Sequence, residues 1–265
     1  MNYWTAKSVD FANQRNYLDE LYKVYPIIPN ERRELNDCAM WKIKTYYDSG
    51  NNKELVKSLL DLEIFPIKDS YVAYLRKDCT AIDRNPETIN RIAGNLRQLG
   101  FEEIMEKCAQ PKETNRQIGP MFKSWVDKGT LGAPIYRDSS IFRNSVGNAI
   151  YNGSDEEMKI FCNKHLGYDR DKGIDFVARF NNKYVIGESK FLTDFGGHQN
   201  AQFDDALSTV NSFFKSDDGR PVIPICIMDG VLYIKNRGKM YKHLENHSEH
   251  IIISALILRE FLYSL

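Results

Sequence analysis

Residues 173–191 read GIDFVARFNNKYVIGESKF. Ile, Phe, Val and Tyr crowd the two arms, 174–180 and 183–191, and Asn181-Asn182 between them tolerate positive φ, so the stretch predicts a β-hairpin closed by a two-residue loop. Such a loop fixes the register: with Phe180 facing Lys183, Ala178 falls opposite Val185 and Asp175 opposite Glu188. Lys190, two residues beyond Glu188, shares its face. Like charges directly across a ladder destabilise a sheet, and a divalent cation between the two carboxylates removes that objection. Two hard oxygen ligands with room for water and a phosphate oxygen suit Mg²⁺, for which Mn²⁺ would substitute. A neighbouring lysine can orient or help deprotonate an attacking water.

Asp175 followed by Glu188-Ser189-Lys190 on the next strand resembles the PD-(D/E)xK nuclease superfamily, and the surrounding sequence looks most like a type II restriction endonuclease. Gly173-Ile174 stands where that superfamily often has its name-giving proline. The resemblance implies that Asp175, Glu188 and the Ser189 carbonyl hold the metal and that Lys190 positions the water. It also implies a further glutamate from the preceding helix, for which Glu157 and Glu156 are the candidates. A glutamine after the ExK strand would touch the water or the DNA backbone, which singles out Gln202 and Gln199. The implied reaction is sequence-specific hydrolysis of double-stranded DNA to 5′-phosphate and 3′-hydroxyl ends. A cognate DNA methyltransferase would share the system, and a homodimer would cut both strands of a palindrome.

Composition fits a folded protein: of 265 residues, 42% are hydrophobic and 27% charged. No apolar run approaches a membrane span and the N-terminal residues lack a signal-peptide stretch, so a cytoplasmic, non-membrane protein is expected. The five cysteines, an odd number without a CxxC pair, are expected as reduced, buried thiols. Net charge is zero, which does not by itself point to a nucleic-acid partner, although affinity depends on where the basic groups sit.

The N-terminal half reads as helices with short connections. Apolar spacing predicts one over 6–24, another within 31–48, and further helices after the turn at 49–52 and after Asp69-Ser70. Asn85-Pro86-Glu87 starts a helix that Gly100 ends, FEEIMEKCAQ makes a second, and a third follows across Gly119-Pro120. Three short helices so connected can form a helix-turn-helix-like unit, with Asn115, Arg116, Gln117 and Lys123 facing DNA, or simply a solvated helix face. Ser154 caps the helix that leads into the hairpin, with Glu157 at the capping-box position. After the hairpin, Phe203, Ala206, Leu207, Val210 and Phe214 mark a helix. Two strands are expected around an Asp229-Gly230 turn, and an apolar helix over 251–265. His243, His247 and His250 lie at helical spacing in so polar a stretch that a solvated surface is expected there, not a zinc site.

Together these elements predict an α/β (α+β) fold: a mixed central β-sheet flanked by helices, a restriction-endonuclease-like core, beside a mostly helical N-terminal half. The expected division places helices for DNA recognition and dimerisation in 1–134 and the catalytic core in 135–265. Two other readings keep their place. One is a DNA repair, junction-resolving or modification-dependent nuclease built on the same site; the other is a non-catalytic helix-turn-helix-like regulator, which has no need of the paired acids.

Overall fold

The structure, a computed structural model, describes residues 1–14, 16–26, 33–111, 118–194, 196–235 and 238–265. The chain opens with α1 (Tyr3–Ala12) and α2 (Tyr17–Val24), where a single helix over 6–24 was expected. Then come α3 (Asp37–Asp48), α4 (Asn52–Leu60), α5 (Val72–Lys77), α6 (Ala81–Arg84), α7 (Pro86–Leu99) and α8 (Phe101–Cys108). The remainder is α9 (Ile118–Asp127), β1 (Ile135–Tyr136), α10 (Ser139–Asn144), β2 (Ala149–Tyr151), α11 (Asp155–His165), β3 (Phe176–Phe180) and β4 (Lys183–Leu192). It ends with α12 (Gly197–Val210), β5 (Val222–Gly230), α13 (Gly238–Asn246), β6 (Ile251–Ile253) and α14 (Ala255–Ser264).

Residues 28–113 form a helical unit with its own core of Ile43, Leu55, Leu59, Ile92, Leu96 and Ile104. Residues 1–27 and 114–265 form the other unit, built on one six-stranded mixed sheet in the order β1-β2-β3-β4-β5-β6. This is the predicted α/β architecture, but the units do not divide at residue 134. Polar side chains explain why the first helices go with the sheet. The edge strand β6 needs partners for its outward N–H groups. Thr5 Oγ1 accepts from Ile252 N at 3.2 Å, and Ser8 Oγ accepts from Ser254 N at 3.0 Å. The three-helix unit expected across 86–128 is likewise divided, since α7 and α8 belong to the helical unit whereas Phe122 and Trp125 of α9 join the core on the sheet.

Asn181 and Asn182 have φ of 47° and 63°, the left-handed pair that a two-residue hairpin loop requires. The resulting β3–β4 register pairs Phe180 with Lys183, Ala178 with Val185 and Phe176 with Gly187, as predicted. Side chains alternate across this ladder. Phe176, Ala178 and Val185 enter the core with Phe122 and Phe261, whereas Val177, Tyr184 and Ile186 pack with Phe142, Met158 and Phe161 of α10 and α11.

The Asp229-Gly230 hairpin does not form. β5 runs parallel to β4 and β6, and a 3₁₀ turn over Val231–Tyr233 follows it. Asp229 is fully buried: its carboxylate accepts from Ser254 Oγ at 2.5 Å, Tyr25 Oη at 3.1 Å, the Ala255 amide at 3.1 Å and Tyr17 Oη at 3.3 Å. An acid so enclosed cannot serve a solvent-exposed turn. Gly230, at φ 103°, sits where a Cβ would collide with the Leu192 carbonyl oxygen, so its glycine answers a close backbone approach instead. The apolar C-terminal stretch is also divided, because Ser254 ends β6 and caps α14 by accepting from Leu256 N. All five cysteines are free; Cys108, Cys162 and Cys226 are buried as expected, whereas Cys38 and Cys79 are exposed.

Candidate active site

The apolar part of the α11-facing side of β4 stops at Ile186, and the next two positions on that side are Glu188 and Lys190. Asp175, one residue before β3, donates its N–H to the Gly187 carbonyl (3.2 Å), the oxygen of the residue paired with Phe176, and the charge of Glu188 bears on its carboxyl. Its Oδ2 accepts from the Ser189 amide at 2.8 Å. The hairpin thus delivers the three groups read from the sequence to one place.

A cavity of about 190 Å³ opens here, lined by Asp175, Ser189, Lys190, Gln202 and Asp205, with Ile118 and Gly119 of α9 closing one side. Glu188 lies behind it, its side chain only 3% exposed. Glu188 Oε1 accepts from Lys190 at 2.7 Å and from Lys172 at 2.8 Å. Glu188 Oε2 is buried with no hydrogen-bond partner among the described residues. Lys172 also reaches Asp205 Oδ2 at 2.7 Å, and Lys190 lies 3.9 Å from that same oxygen. Neither Lys172 nor Asp205 was singled out in the sequence. Asp205 was the more accessible of the two, because it stands one helical turn beyond Gln202 on the same helix.

Burial, reinforced by the charge of Glu188 and only partly offset by Lys190, raises the Asp175 carboxyl to about 7. Burial acts to lower the Lys190 ammonium, but the charges of Glu188 and Asp175 outweigh it and the net shift is upward. Lys190 is therefore a cation at neutral pH, suited to donating hydrogen bonds. The site is a pair of acids, one of them kept easily protonated by burial and by the charge of the other, with a buried carboxylate oxygen that has no hydrogen-bond partner among the described residues. That donor set fits a hard divalent cation: an added positive charge would satisfy Oε2 and favour the ionised form of Asp175.

The remaining predicted residues are distributed differently. Glu157 completes the capping box of α11: its Oε2 accepts from Ser154 N and Ser154 Oγ, both at 2.8 Å, and Ser154 Oγ accepts from Glu157 N at 3.2 Å. The bond from the Ser154 amide is the first cause of its lowered pKa. Glu156 pairs with Lys159 at 2.8 Å. Asp155 is the acid of this helix whose charge reaches Asp175, helping to raise it, and the sequence reading passed over it. Lys123 pairs with Asp155 and donates to the Gly153 carbonyl at 2.9 Å, so it fastens α9 to the start of α11.

Gln202 lines the cavity. Gln199 is buried, with its amide turned to Thr193: Oε1 accepts from Thr193 N at 3.3 Å and Nε2 donates to Thr193 Oγ1 at 3.4 Å. This brackets the loop after β4. Asn115, Arg116 and Gln117 lie outside the described residues. Among the described residues no helix is long and apolar enough to cross a membrane.

No curated protein and no solved structure matches the chain. The family model described as Tsp45I type II restriction enzyme matches residues 2–265, nearly the whole length. With a mixed sheet that sets Asp175 and Lys190 in the wall of one cavity and Glu188 behind them, the chain belongs to the Tsp45I type II restriction enzyme family.

Proposed function

We propose that this member of the family is a Mg²⁺-dependent endonuclease of the PD-(D/E)xK superfamily that hydrolyses double-stranded DNA at a specific sequence. The observation that carries the reading is the cluster in which Asp175 accepts from the Ser189 amide and feels the charge of Glu188, Lys190 donates to Glu188 Oε1, and Glu188 Oε2 has no hydrogen-bond partner among the described residues. Asp175 and Glu188, with the Ser189 carbonyl, would hold the cation, and Mn²⁺ would replace it. When bound, the metal supplies positive charge that stabilises the transition state at the scissile phosphate.

Each side chain then has a defined task. Lys190, kept cationic by its two acids, donates a hydrogen bond that fixes the attacking water in line with the phosphorus. Lys172 neutralises Glu188 Oε1 from the other side and holds Asp205 in place, so the acids keep their positions before the substrate arrives. Gln202, at the cavity wall, is placed to contact the water or a phosphate oxygen. Water adds to phosphorus, the O3′–P bond breaks, and the departing 3′ oxygen takes up a proton, leaving 5′-phosphate and 3′-hydroxyl ends.

Restriction of a palindrome requires two such cuts, so the working form is a homodimer, paired in the cell with a methyltransferase that protects the same sequence. The helical unit at 28–113 and the segment containing Asn115, Arg116 and Gln117 are proposed to contribute to recognition and dimerisation. Digestion of unmethylated phage DNA tests the proposal. Discrete fragments with ligatable 5′-phosphate ends, formed with Mg²⁺ or Mn²⁺ and not with EDTA, are expected. DNA left intact with either metal, or degraded without sequence preference, would refute it.

A further inference from the structure

The turn that joins α13 to β6 carries His247, Ser248, Glu249 and His250, and it folds its side chains onto one another. His250 N donates to the His247 carbonyl at 3.1 Å, which tightens the turn and brings the two imidazoles together. Glu249 Oε1 lies 3.6 Å from His247 Nδ1 and 3.2 Å from His250 Nε2. One ligand atom from each of the three residues falls within 4.8 Å of the other two. Ligands about 2.0–2.1 Å from a tetrahedral zinc ion stand roughly 3.3 Å apart. Two edges of the triad are therefore near coordination spacing.

We propose that His247, Glu249 and His250 form a site for a first-row transition-metal cation of the Zn²⁺ or Co²⁺ class, separate from the carboxylate pair at Asp175 and Glu188. Two imidazoles and one carboxylate match the borderline ligand preference of these ions, and three protein ligands leave the fourth position to water. The rings of His243, His247 and His250 are stacked in series, with centroids 6.1 Å and 5.8 Å apart. A cation takes the same rings neutral and places the positive charge between them and Glu249.

The site has a structural task. Phe203 of α12 packs against His243 at 5.5 Å and His247 at 6.3 Å, and β6 begins directly after His250. A metal there would lock the turn, and with it the entry into β6 and the helix that carries Gln202 and Asp205.

The test is a Co²⁺ titration of the full-length, tag-free, metal-stripped protein, followed by visible absorption. Co²⁺ held by oxygen ligands stays six-coordinate and absorbs weakly, whereas a His₂Glu site gives the intense bands of four-coordinate Co²⁺. One equivalent with intense bands is expected in the wild type, displaced by stoichiometric Zn²⁺ and retained in Asp175→Ala. The bands should vanish in His247→Ala, His250→Ala and Glu249→Ala. Glu249 is the most exposed of the three, so its variant keeps the fold if a histidine variant does not, as circular dichroism would report. Absence of the bands in the wild type, or their persistence in Glu249→Ala and His250→Ala, would overturn the proposal.

Discussion

Asp175 and Asp229 lie on neighbouring parts of one sheet, and burial raises both carboxyls to about 7, yet their surroundings are opposite. Asp229 accepts hydrogen bonds from two tyrosines, a serine and a backbone amide, and these tie α2, β5 and the start of α14 into one enclosed cage. Asp175 has one amide on one oxygen, a second acid beside it and a cavity in front of it. A raised carboxyl is thus a structural fastener when donors surround it and a reactive group when they do not. Glu188 Oε2, which has no hydrogen-bond partner among the described residues, belongs to the second kind of setting.

The widest separation between the two regions is expected in catalysis. Lys190→Ala should slow single-turnover cleavage by about 10³-fold with little change in thermal midpoint, because it removes a group that acts on the reacting atoms. Unaltered cleavage would move the chemistry away from this cavity. Asp229→Ala should do the reverse: it leaves four donors without their acceptor and costs about 3 kcal/mol in a urea titration, while the folded fraction still cuts DNA.

The two acids also share a pH signature. A carboxyl whose folded pKa is raised contributes stability that is fully present below its unfolded value near 3.8 and is lost as pH rises through about 7. Metal-free protein should therefore lose this contribution between those limits. Asp229→Asn should flatten the Asp229 part alone, and saturating Mg²⁺ should remove the Asp175 part alone. Equal sensitivity of both parts to Mg²⁺ would break the distinction.

A finer test concerns Lys172, which shares Glu188 Oε1 with Lys190. Lys172→Met makes the site more negative, so half-saturating Mg²⁺ should fall while the cleavage rate at saturation drops roughly tenfold. A change in neither quantity would reduce Lys172 to a surface ion pair. Smallest of all, Ser154→Ala should cost about 1 kcal/mol of stability through the lost cap of α11 and leave cleavage unchanged, as suits a capping box that stands apart from the chemistry.

Local chemistry decided how much of this could be read in advance. The Asn181-Asn182 loop fixes φ and therefore register, so the pairing of Phe180 with Lys183 and of Ala178 with Val185 was legible from the residues alone. The Ser154–Glu157 box and the Pro86 start of α7 were legible for the same reason. Asp229-Gly230 was not. Its dipeptide matches a hairpin loop, and partners distant in sequence, Tyr17 and Tyr25 more than 200 residues before it and Ser254 and Ala255 about 25 after it, turn that aspartate inward. Lys172 and Asp205 escaped because they meet through the packing of α12 beside the sheet, which no local spacing encodes. The same distance effect hid the attachment of α1 to β6 through Thr5 and Ser8.

The most direct test of the central claim is single-turnover cleavage of a supercoiled plasmid in Mg²⁺ by wild type, Asp175→Asn and Asp229→Asn, each held well below its thermal midpoint. Site-specific linearisation by wild type and Asp229→Asn at comparable rates is expected, with none detectable by Asp175→Asn. Cleavage by Asp175→Asn at the wild-type rate would contradict the claim.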